Sequence, residues 1–133
     1  MPFVNIAVAG TPLSESQKQA LFDETTRLMN EVMKKNADLT SVRIDEFGGH
    51  NWAIGRKPAN DRGETAVHMD IKITEATNTD DEKAEMIRKG MEMLRNIVGV
   101  TPEASYIVIH DVKASAWGYD GLTQQQRALH KTA

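Results

Sequence analysis

The sequence repeats itself at a constant spacing, and this repeat restricts the possible folds more than any other feature. Trp52 in the segment NWAIG and Trp117 in the segment AWGY define the spacing, which we call the repeat offset. The same offset, applied without gaps, places one apolar helical face on another. The paired positions are Leu21 and Met86, Phe22 and Ile87, Leu28 and Met93, Met29 and Leu94, Val32 and Ile97, and Met33 and Val98. The chain is therefore predicted to contain two copies of one structural unit.

Each copy starts its helix with the same local signal. Ser14 is followed three residues later by Gln17, and Thr79 is followed three residues later by Glu82. Both patterns are typical of a capping box, in which the hydroxyl and the later side chain each accept a backbone N–H of the first helical turn. We therefore predict helices near residues 14–35 and 79–98.

Predicted strands flank both helices. They lie near residues 3–8, 41–47, 66–73 and 105–112, so each half reads as strand, helix, strand. A helical crossover joins parallel strands with a right-handed connection. The expected fold class is α/β (α+β): duplicated β-α-β units forming a four-stranded sheet with two helices on one face. We expect a single domain over residues 1–133, made of two halves, 1–57 and 65–121, joined by a short polar linker.

The second face of this sheet needs a cover. The strands are apolar at most positions rather than alternating, as in the segment IVI at 107–109. Such strands are typical of sheets that are buried on both faces. Self-association in a closed symmetric oligomer is the simplest way to bury the second face.

Composition and charge argue against several classes of protein. The formal net charge is −3 with both signs spread along the chain, so no nucleic-acid partner is expected. No apolar run approaches the roughly 20 residues of a membrane span, and the start lacks a secretory signal, so we expect a cytoplasmic protein without a membrane partner. The chain has no cysteine and its four histidines lack metal-ligand spacing, so no disulfide and no metal site are expected.

Several segments resemble one known family. The chain begins Met-Pro, and the segments LTSVRI at 39–44 and NWAIG at 51–55 closely resemble the second strand and the following turn of 4-oxalocrotonate tautomerase. The segment SYIVIHD at 105–111 resembles the matching part of the macrophage migration inhibitory factor group. The resemblance is to a fused member of the tautomerase superfamily. It implies two β-α-β halves in one chain, a homotrimer that mimics a hexamer, and proton transfer on small 2-oxo acids without a cofactor.

The amino-terminal proline carries the chemistry that this resemblance implies. Once Met1 is removed, Pro2 has a secondary amine whose reference pKa is about 7.7–8.0. Burial and nearby cations lower the pKa of such an amine, and the neutral form can then act as a general base and return the proton as an acid. The alternative is that Pro2 only begins an edge strand, where its missing N–H is harmless. Val67 holds the equivalent place in the second half, so one active site per chain is expected.

Cations are expected to bind the substrate carboxylate. Lys72 stands where fused relatives carry an arginine that faces the proline; otherwise it is a solvated strand residue. Arg43 matches the substrate-binding arginine of 4-oxalocrotonate tautomerase, although it could face the Val67 position instead. Lys35 resembles a lysine of the migration-inhibitory group, or it is a helix C-terminal lysine favoured by the macrodipole.

Two aromatic residues complete the expected site. Trp117 matches the aromatic residue that the half opposite the proline contributes in this family. Tyr106 matches a tyrosine supplied by the neighbouring chain in the migration-inhibitory group. Either residue could equally be an ordinary core or interface aromatic.

The leading hypothesis is a cofactor-independent tautomerase acting on a small 2-oxo or 2-hydroxydienoic acid. A decarboxylase or hydrolytic dehalogenase on the same fold is the second hypothesis, but no residue matches the group that would activate water. Glu75 near the place of a second arginine counts against dehalogenation. The third hypothesis is a non-catalytic trimer that binds a partner, which retention of Met1 would favour.

Overall fold

The two halves of the chain fold alike, element by element. The computed structural model describes residues 2–132, so Met1 and Ala133 lie outside the described residues. The first half contains β1 (Phe3–Ala9), α1 (Glu15–Glu31), β2 (Ser41–Phe47), β3 (Ala53–Ile54), β4 (Lys57–Pro58) and α2 (Ala59–Arg62). The second half contains β5 (Ala66–Thr74), α3 (Asp80–Val98), β6 (Tyr106–Val112), β7 (Gly118–Tyr119), β8 (Leu122–Thr123) and α4 (Gln124–Thr132). The bounds of β6, β7 and β8 are those of β2, β3 and β4 shifted by the repeat offset, so the duplication extends through the short strands.

The long strands form one sheet in the order β2-β1-β5-β6. Within each half the pair is parallel, β1 with β2 and β5 with β6, while the central strands β1 and β5 are antiparallel. This arrangement confirms the predicted four-stranded sheet of duplicated β-α-β units.

Helices α1 and α3 pack together on one face of the sheet. Every second residue of the central strands points into this layer, and these strand residues have an exposed fraction of 2% or less: Val4, Ile6, Val8, Met69, Ile71 and Ile73. The helices contribute buried residues that include Leu21, Met29, Met86 and Leu94. Burying each such side chain stabilises the fold by about 1.5–3 kcal/mol, so this layer is the core.

Both predicted capping boxes are present. Gln17 N donates to Ser14 Oγ at 3.1 Å, and Ser14 N donates to Gln17 Oε1 at 2.8 Å. The second box repeats this arrangement between Thr79 and Glu82, at 3.1 and 2.9 Å. These contacts satisfy backbone N–H groups that have no partner inside a helix.

The opposite face of the sheet differs from the apolar surface that the strand composition suggested. The outer residues alternate with the core residues and are mostly polar, because β1 and β5 present Asn5, His68, Asp70 and Lys72 on this side. Arg43 of β2 donates from Nε to Asn5 Oδ1 at 2.8 Å across this face. Hydrophobic strand residues are thus concentrated on the helix side, and burial of this second face by self-association stays a prediction.

The segment predicted as a polar linker carries structure of its own. Strands β3 and β4 form a hairpin whose turn residues, Gly55 and Arg56, have φ of 58° and 68°. Strands β7 and β8 repeat it with Asp120 and Gly121 at φ of 49° and 84°. Positive φ at both central residues is typical of the type I′ turn, which matches the twist of a hairpin.

The two hairpins lie at opposite ends of the sheet. Phe3 pairs with Lys72, which pairs with His110, so the end of β6 lies beside the beginning of β1. The hairpin that follows β6 is thereby placed near Pro2. At the other end, Ala9 pairs with both Phe47 and Ala66, so the first hairpin lies beside the beginning of β5. Within residues 2–132, no helix has the length and apolar character needed to cross a membrane.

Candidate active site

A cavity of about 500 Å³ opens at the beginning of β1. Its lining combines the start of the chain, the loop before β2, the second hairpin and α4. The lining residues are Pro2, Asn36, Leu39, Tyr119, Leu122, Gln124, Arg127, Ala128 and His130. Pockets of this size that combine apolar walls with a few polar groups are typical small-molecule sites.

Pro2 is a buried residue of this cavity. Its carbonyl oxygen accepts a hydrogen bond from Ser41 N at 3.3 Å, which ties the start of the chain to β2. The strand that follows Pro2 is central in the sheet, between β2 and β5, and so is not an edge strand. Met1, whose removal would free the Pro2 amine, lies outside the described residues.

The second hairpin and α4 form the opposite wall. The helix starts with a third capping box, in which Gln126 N donates to Thr123 Oγ1 at 3.0 Å and Thr123 N donates to Gln126 Oε1 at 2.9 Å. Gln124 N donates to the carbonyl oxygen of Trp117 at 2.8 Å, which fixes the helix start on the residue before β7. These bonds give the wall a defined position.

Arg127 is held in place on this wall. Its guanidinium carbon lies 3.7 Å from the centre of the Tyr119 ring, and Nη2 donates to the Tyr119 carbonyl oxygen at 3.0 Å. Its Nε is buried and has no hydrogen-bond partner in the described part of the chain, and the same holds for Nε2 of Gln124. Buried donors are nearly always paired in folded proteins, so the two unpaired donors on residues that line one cavity are unusual.

The equivalent end of the first half is filled by side chains. Ala59 and Ala66 are fully buried together, and Trp52 and Ile54 pack against them. Val67, the counterpart of Pro2, has an exposed fraction of 1%. The duplicated ends of the sheet thus differ, because apolar packing occupies the place that corresponds to the Pro2 cavity.

Two of the predicted cations approach the residue next to Pro2. Lys72 Nζ lies 5.9 Å and the Arg43 guanidinium carbon 5.4 Å from the centre of the Phe3 ring, on the polar face of the sheet. Arg43 Nε also lies 3.6 Å from Asp45 Oδ2. The structure therefore brings these two residues together near the start of β1, but neither lines the cavity.

The other predicted residues are spread around the fold. Lys35 donates from Nζ to Thr77 Oγ1 at 2.8 Å, and burial lowers the pKa of this amine although Glu82 and Asp111 oppose the shift. Tyr106 pairs with His68 at the far end of β5 and is 61% exposed, so within one chain it lies away from Pro2. Trp117 contacts α4 through its carbonyl oxygen and is not among the described residues that line the cavity.

Sequence reasoning missed Tyr119, Gln124 and Arg127, since it gave the segment after the second tryptophan no function. The signal for the hairpin was Asp120-Gly121, a dipeptide that favours the type I′ turn. The signal for Arg127 was the duplication itself, because Arg62 is its counterpart at the repeat offset. That the Arg127 Nε is unpaired could not be read from either signal.

Comparisons with known proteins agree with the duplication. The family model described as tautomerase enzyme matches residues 2–62 and again residues 68–127. The probable tautomerase K2 of Dickeya dadantii (strain 3937) is 36% identical over 66 residues, which span 50% of this chain and 98% of that protein. The single-unit relative thus corresponds to one half of the chain.

Solved structures resemble the whole chain. A fused 4-OT, described as a wild type symmetric trimer, has a TM-score of 0.82 at 13% identity and covers 94% of this chain and 98% of its own. Pt0534 inactivated by 2-oxo-3-pentynoate also has a TM-score of 0.82 at 13% identity, covering 92% and 96%. The macrophage migration inhibitory factor-like protein of Entamoeba histolytica has a TM-score of 0.75 at 18% identity, covering 92% and 97%. At these identities the structural likeness supports the fold.

Proposed function

The chain belongs to the tautomerase family, and from this premise we propose that it moves a proton between the enol and keto forms of a small 2-oxo or 2-hydroxydienoic acid. Pro2 is the proposed general base and acid, and no cofactor takes part. The observation that carries the proposal is that Pro2 is buried and lines the cavity of about 500 Å³. The alternatives of a decarboxylase, a dehalogenase and a non-catalytic trimer gain no specific support.

The proposed cycle starts from the processed chain, in which Pro2 has a free secondary amine. Burial disfavours its charged form, so a neutral amine is available near pH 7. The amine takes the O–H proton of the enol, which leaves an enolate and a pyrrolidinium. The pyrrolidinium then returns the proton to a carbon of the enolate, giving the keto acid and the neutral amine.

One working site per chain is the second part of the proposal. It is supported by the contrast between the Pro2 cavity and the packed Val67 end. Val67 is internal to the chain and has no free amine. A reagent that alkylates the proline amine should therefore add once per chain.

A homotrimer is the proposed assembly. The fused 4-OT proteins of similar fold are described as symmetric and asymmetric trimers, and the polar face of the sheet is available for contact between copies. Tyr106 lies far from Pro2 of its own chain, and its proposed role is in the site of a neighbouring chain. The roles of Lys72, Arg43, Lys35 and Trp117 at the substrate stay predictions.

Replacing the proline tests the mechanism. The intact mass of the purified protein first establishes whether Met1 is absent. Ketonisation of phenylenolpyruvate and of 2-hydroxymuconate is then measured for the processed chain and for Pro2→Ala. We expect Pro2→Ala to lose at least about 100-fold in kcat/KM, within the range that general acid–base catalysis contributes. An inactive processed chain, or full activity of Pro2→Ala, would show the mechanism to be wrong.

Covalent labelling tests the number of sites. The probe is 2-oxo-3-pentynoate, with which the structural relative Pt0534 was inactivated. We expect one adduct per chain by mass spectrometry, located on Pro2 by peptide mapping. Two adducts per chain at low reagent concentration would contradict the single-site proposal.

A further inference from the structure

We propose that Arg127 and Gln124, at the start of α4, bind the carboxylate of the substrate in the cavity that contains Pro2. This proposal rests on the proposed function, because it names the groups that would hold the acid for proton transfer at Pro2. It differs from the cations that the resemblance implies, since Lys72 and Arg43 lie on the polar face of the sheet near Phe3.

The duplication shows what is missing around Arg127. Its counterpart Arg62 donates from Nε to Glu64 Oε1 at 2.8 Å. At the repeat offset, Glu64 corresponds to Leu129. The second half thus keeps the arginine but has no carboxylate at the matching position, and the Arg127 Nε has no hydrogen-bond partner among the described residues. A carboxylate from outside the chain would replace the lost partner.

A second residue difference between the two halves supplies another donor on the same helix as Arg127. Ala59, which is fully buried in the packed first-half end, corresponds to Gln124. The amide Nε2 of Gln124 is buried without a partner in the part of the chain that the structure describes. A buried donor left unpaired is unfavourable, and a ligand that accepts from these two donors would remove that penalty.

The arginine is fixed before any ligand binds. The Tyr119 ring lies under the guanidinium at 3.7 Å, and the Tyr119 carbonyl oxygen accepts from Nη2. A planar guanidinium that is already oriented loses little freedom on binding, and its fork of donors matches the two oxygens of a carboxylate. These two contacts hold the guanidinium in one orientation on the cavity wall.

The remaining lining defines the rest of the ligand. Leu39 and Leu122 offer apolar surface, and Pro2 belongs to the same cavity. A small acid with its carboxylate on α4 and an apolar or unsaturated chain extending into the cavity fits this distribution. The inferred substrate class is a small monocarboxylate whose reacting carbons lie near Pro2.

Binding of an unreactive acid tests the inference without relying on turnover. The probe is 3-phenylpropanoate, the neutral comparison is 3-phenylpropanamide, and the measurement is isothermal titration. The variants are Arg127→Met, Arg127→Lys and Gln124→Leu, and the matched control is Arg62→Met at the packed end. Circular dichroism and the thermal midpoint show whether each variant is folded.

We expect the native chain to bind the acid more tightly than the amide. Arg127→Met should raise the Kd of the acid about 10- to 100-fold and remove the preference for the acid, as expected for the loss of a charge-assisted hydrogen bond. We expect a smaller rise in the Kd of the acid for Arg127→Lys, which keeps the charge but lacks Nε, and for Gln124→Leu. Arg62→Met should leave the Kd of the acid unchanged. Equal binding of acid and amide by the native chain, or equal effects of Arg127→Met and Arg62→Met, would overturn the inference.

The Pro2→Ala variant separates this inference from the proposed function. It should keep the native preference for 3-phenylpropanoate over 3-phenylpropanamide, because the proposed carboxylate contacts lie on α4. In the chain that keeps Pro2, Arg127→Met should raise KM for phenylenolpyruvate more than it lowers kcat. This is expected for a contact made equally in the ground and transition states. If Pro2→Ala keeps full turnover, the role of Pro2 is wrong while the titration still decides the role of Arg127.

Discussion

Position 25 and its counterpart at position 90 show how single residues adapt one unit to two environments. Thr25 of α1 is fully buried, and its hydroxyl has no hydrogen-bond partner among residues 2–132. Gly90 occupies the same place in α3, where an added Cβ would come within 2.9 Å of Ile107 Cδ1. The second half uses the smallest residue to admit β6, while the first half fills the space with a hydroxyl that nothing in the described chain satisfies.

Replacing Thr25 by valine should stabilise the chain. Valine keeps the shape of threonine and removes the unpaired hydroxyl, so the free energy of unfolding should rise by about 1 kcal/mol. Urea denaturation followed by circular dichroism measures the change. Thr26→Val, at the next and less buried position, is the control and should have little effect. Destabilisation by Thr25→Val would show that the hydroxyl makes a favourable contact.

The residues of the site differ in how far the sequence could predict them. Pro2 could be proposed from the sequence because its chemistry depends on its position in the chain. Arg127 could not, because its importance depends on Leu129 standing where the first half has Glu64. The sequence shows both residues, but only the structure shows that the Arg127 Nε is buried beside the cavity.

At the scale of elements, the long strands and helices had strong sequence signals and the hairpins had weak ones. Helices α1 and α3 carry an apolar face over several turns and begin at capping boxes, so their signal is strong. Each hairpin strand has only two residues, too few for a periodic pattern. The turn of the first hairpin consists of Gly55 and Arg56. Arginine is not a residue type that favours positive φ, so Arg56 gives no turn signal in the sequence. The second hairpin, which completes the cavity, had only the Asp120-Gly121 dipeptide as its signal.

The helix caps should contribute equally in the two halves. Ser14→Ala and Thr79→Ala each remove the hydroxyl that accepts the N–H of the third helical residue. Each should lower the free energy of unfolding by about 1 kcal/mol, the usual value of such a cap. The measurement is urea denaturation, with Thr11→Ala in an exposed loop as the control. An effect in one half alone would mean that the two helices start with different stability.

At the scale of the whole molecule, the polar face of the sheet holds a linked set of polar side chains. Asp70 Oδ1 lies 3.0 Å from His110 Nε2, and Asp70 Oδ2 lies 3.3 Å from His68 Nε2. Partial burial opposes ionisation of Asp70, but hydrogen bonds from His110 and His68 outweigh it and lower the pKa of this carboxyl. The face is thus organised around an ionised carboxylate.

The lowered pKa of Asp70 gives a pH-dependent contribution to stability. Because the folded pKa lies below the unfolded value of about 3.9, the contribution is present above that pH and disappears as the pH falls through the folded pKa. Asp70→Asn should therefore lower the free energy of unfolding at pH 7, by about 0.5–1 kcal/mol for this partly exposed group. The difference from the native chain should shrink at pH 3, as measured by urea denaturation at fixed protein concentration. Asp61→Asn, at an exposed carboxylate, is the control, and a difference independent of pH would contradict the assignment.

The same face should be where three copies meet if the proposed trimer forms. Asp70 pairs with Asn5 on one side and with Val108 on the other, so Val108→Asp places a second carboxylate directly beside Asp70. Two like charges that assembly would bury repel each other and cannot be hydrated, so association is disfavoured. We expect a native trimer by light scattering and a folded monomer for Val108→Asp. Ile87→Asp, at a 41% exposed position of α3 on the helix side of the sheet, should remain a trimer. If Ile87→Asp dissociates and Val108→Asp does not, the copies associate through the helices instead of the sheet.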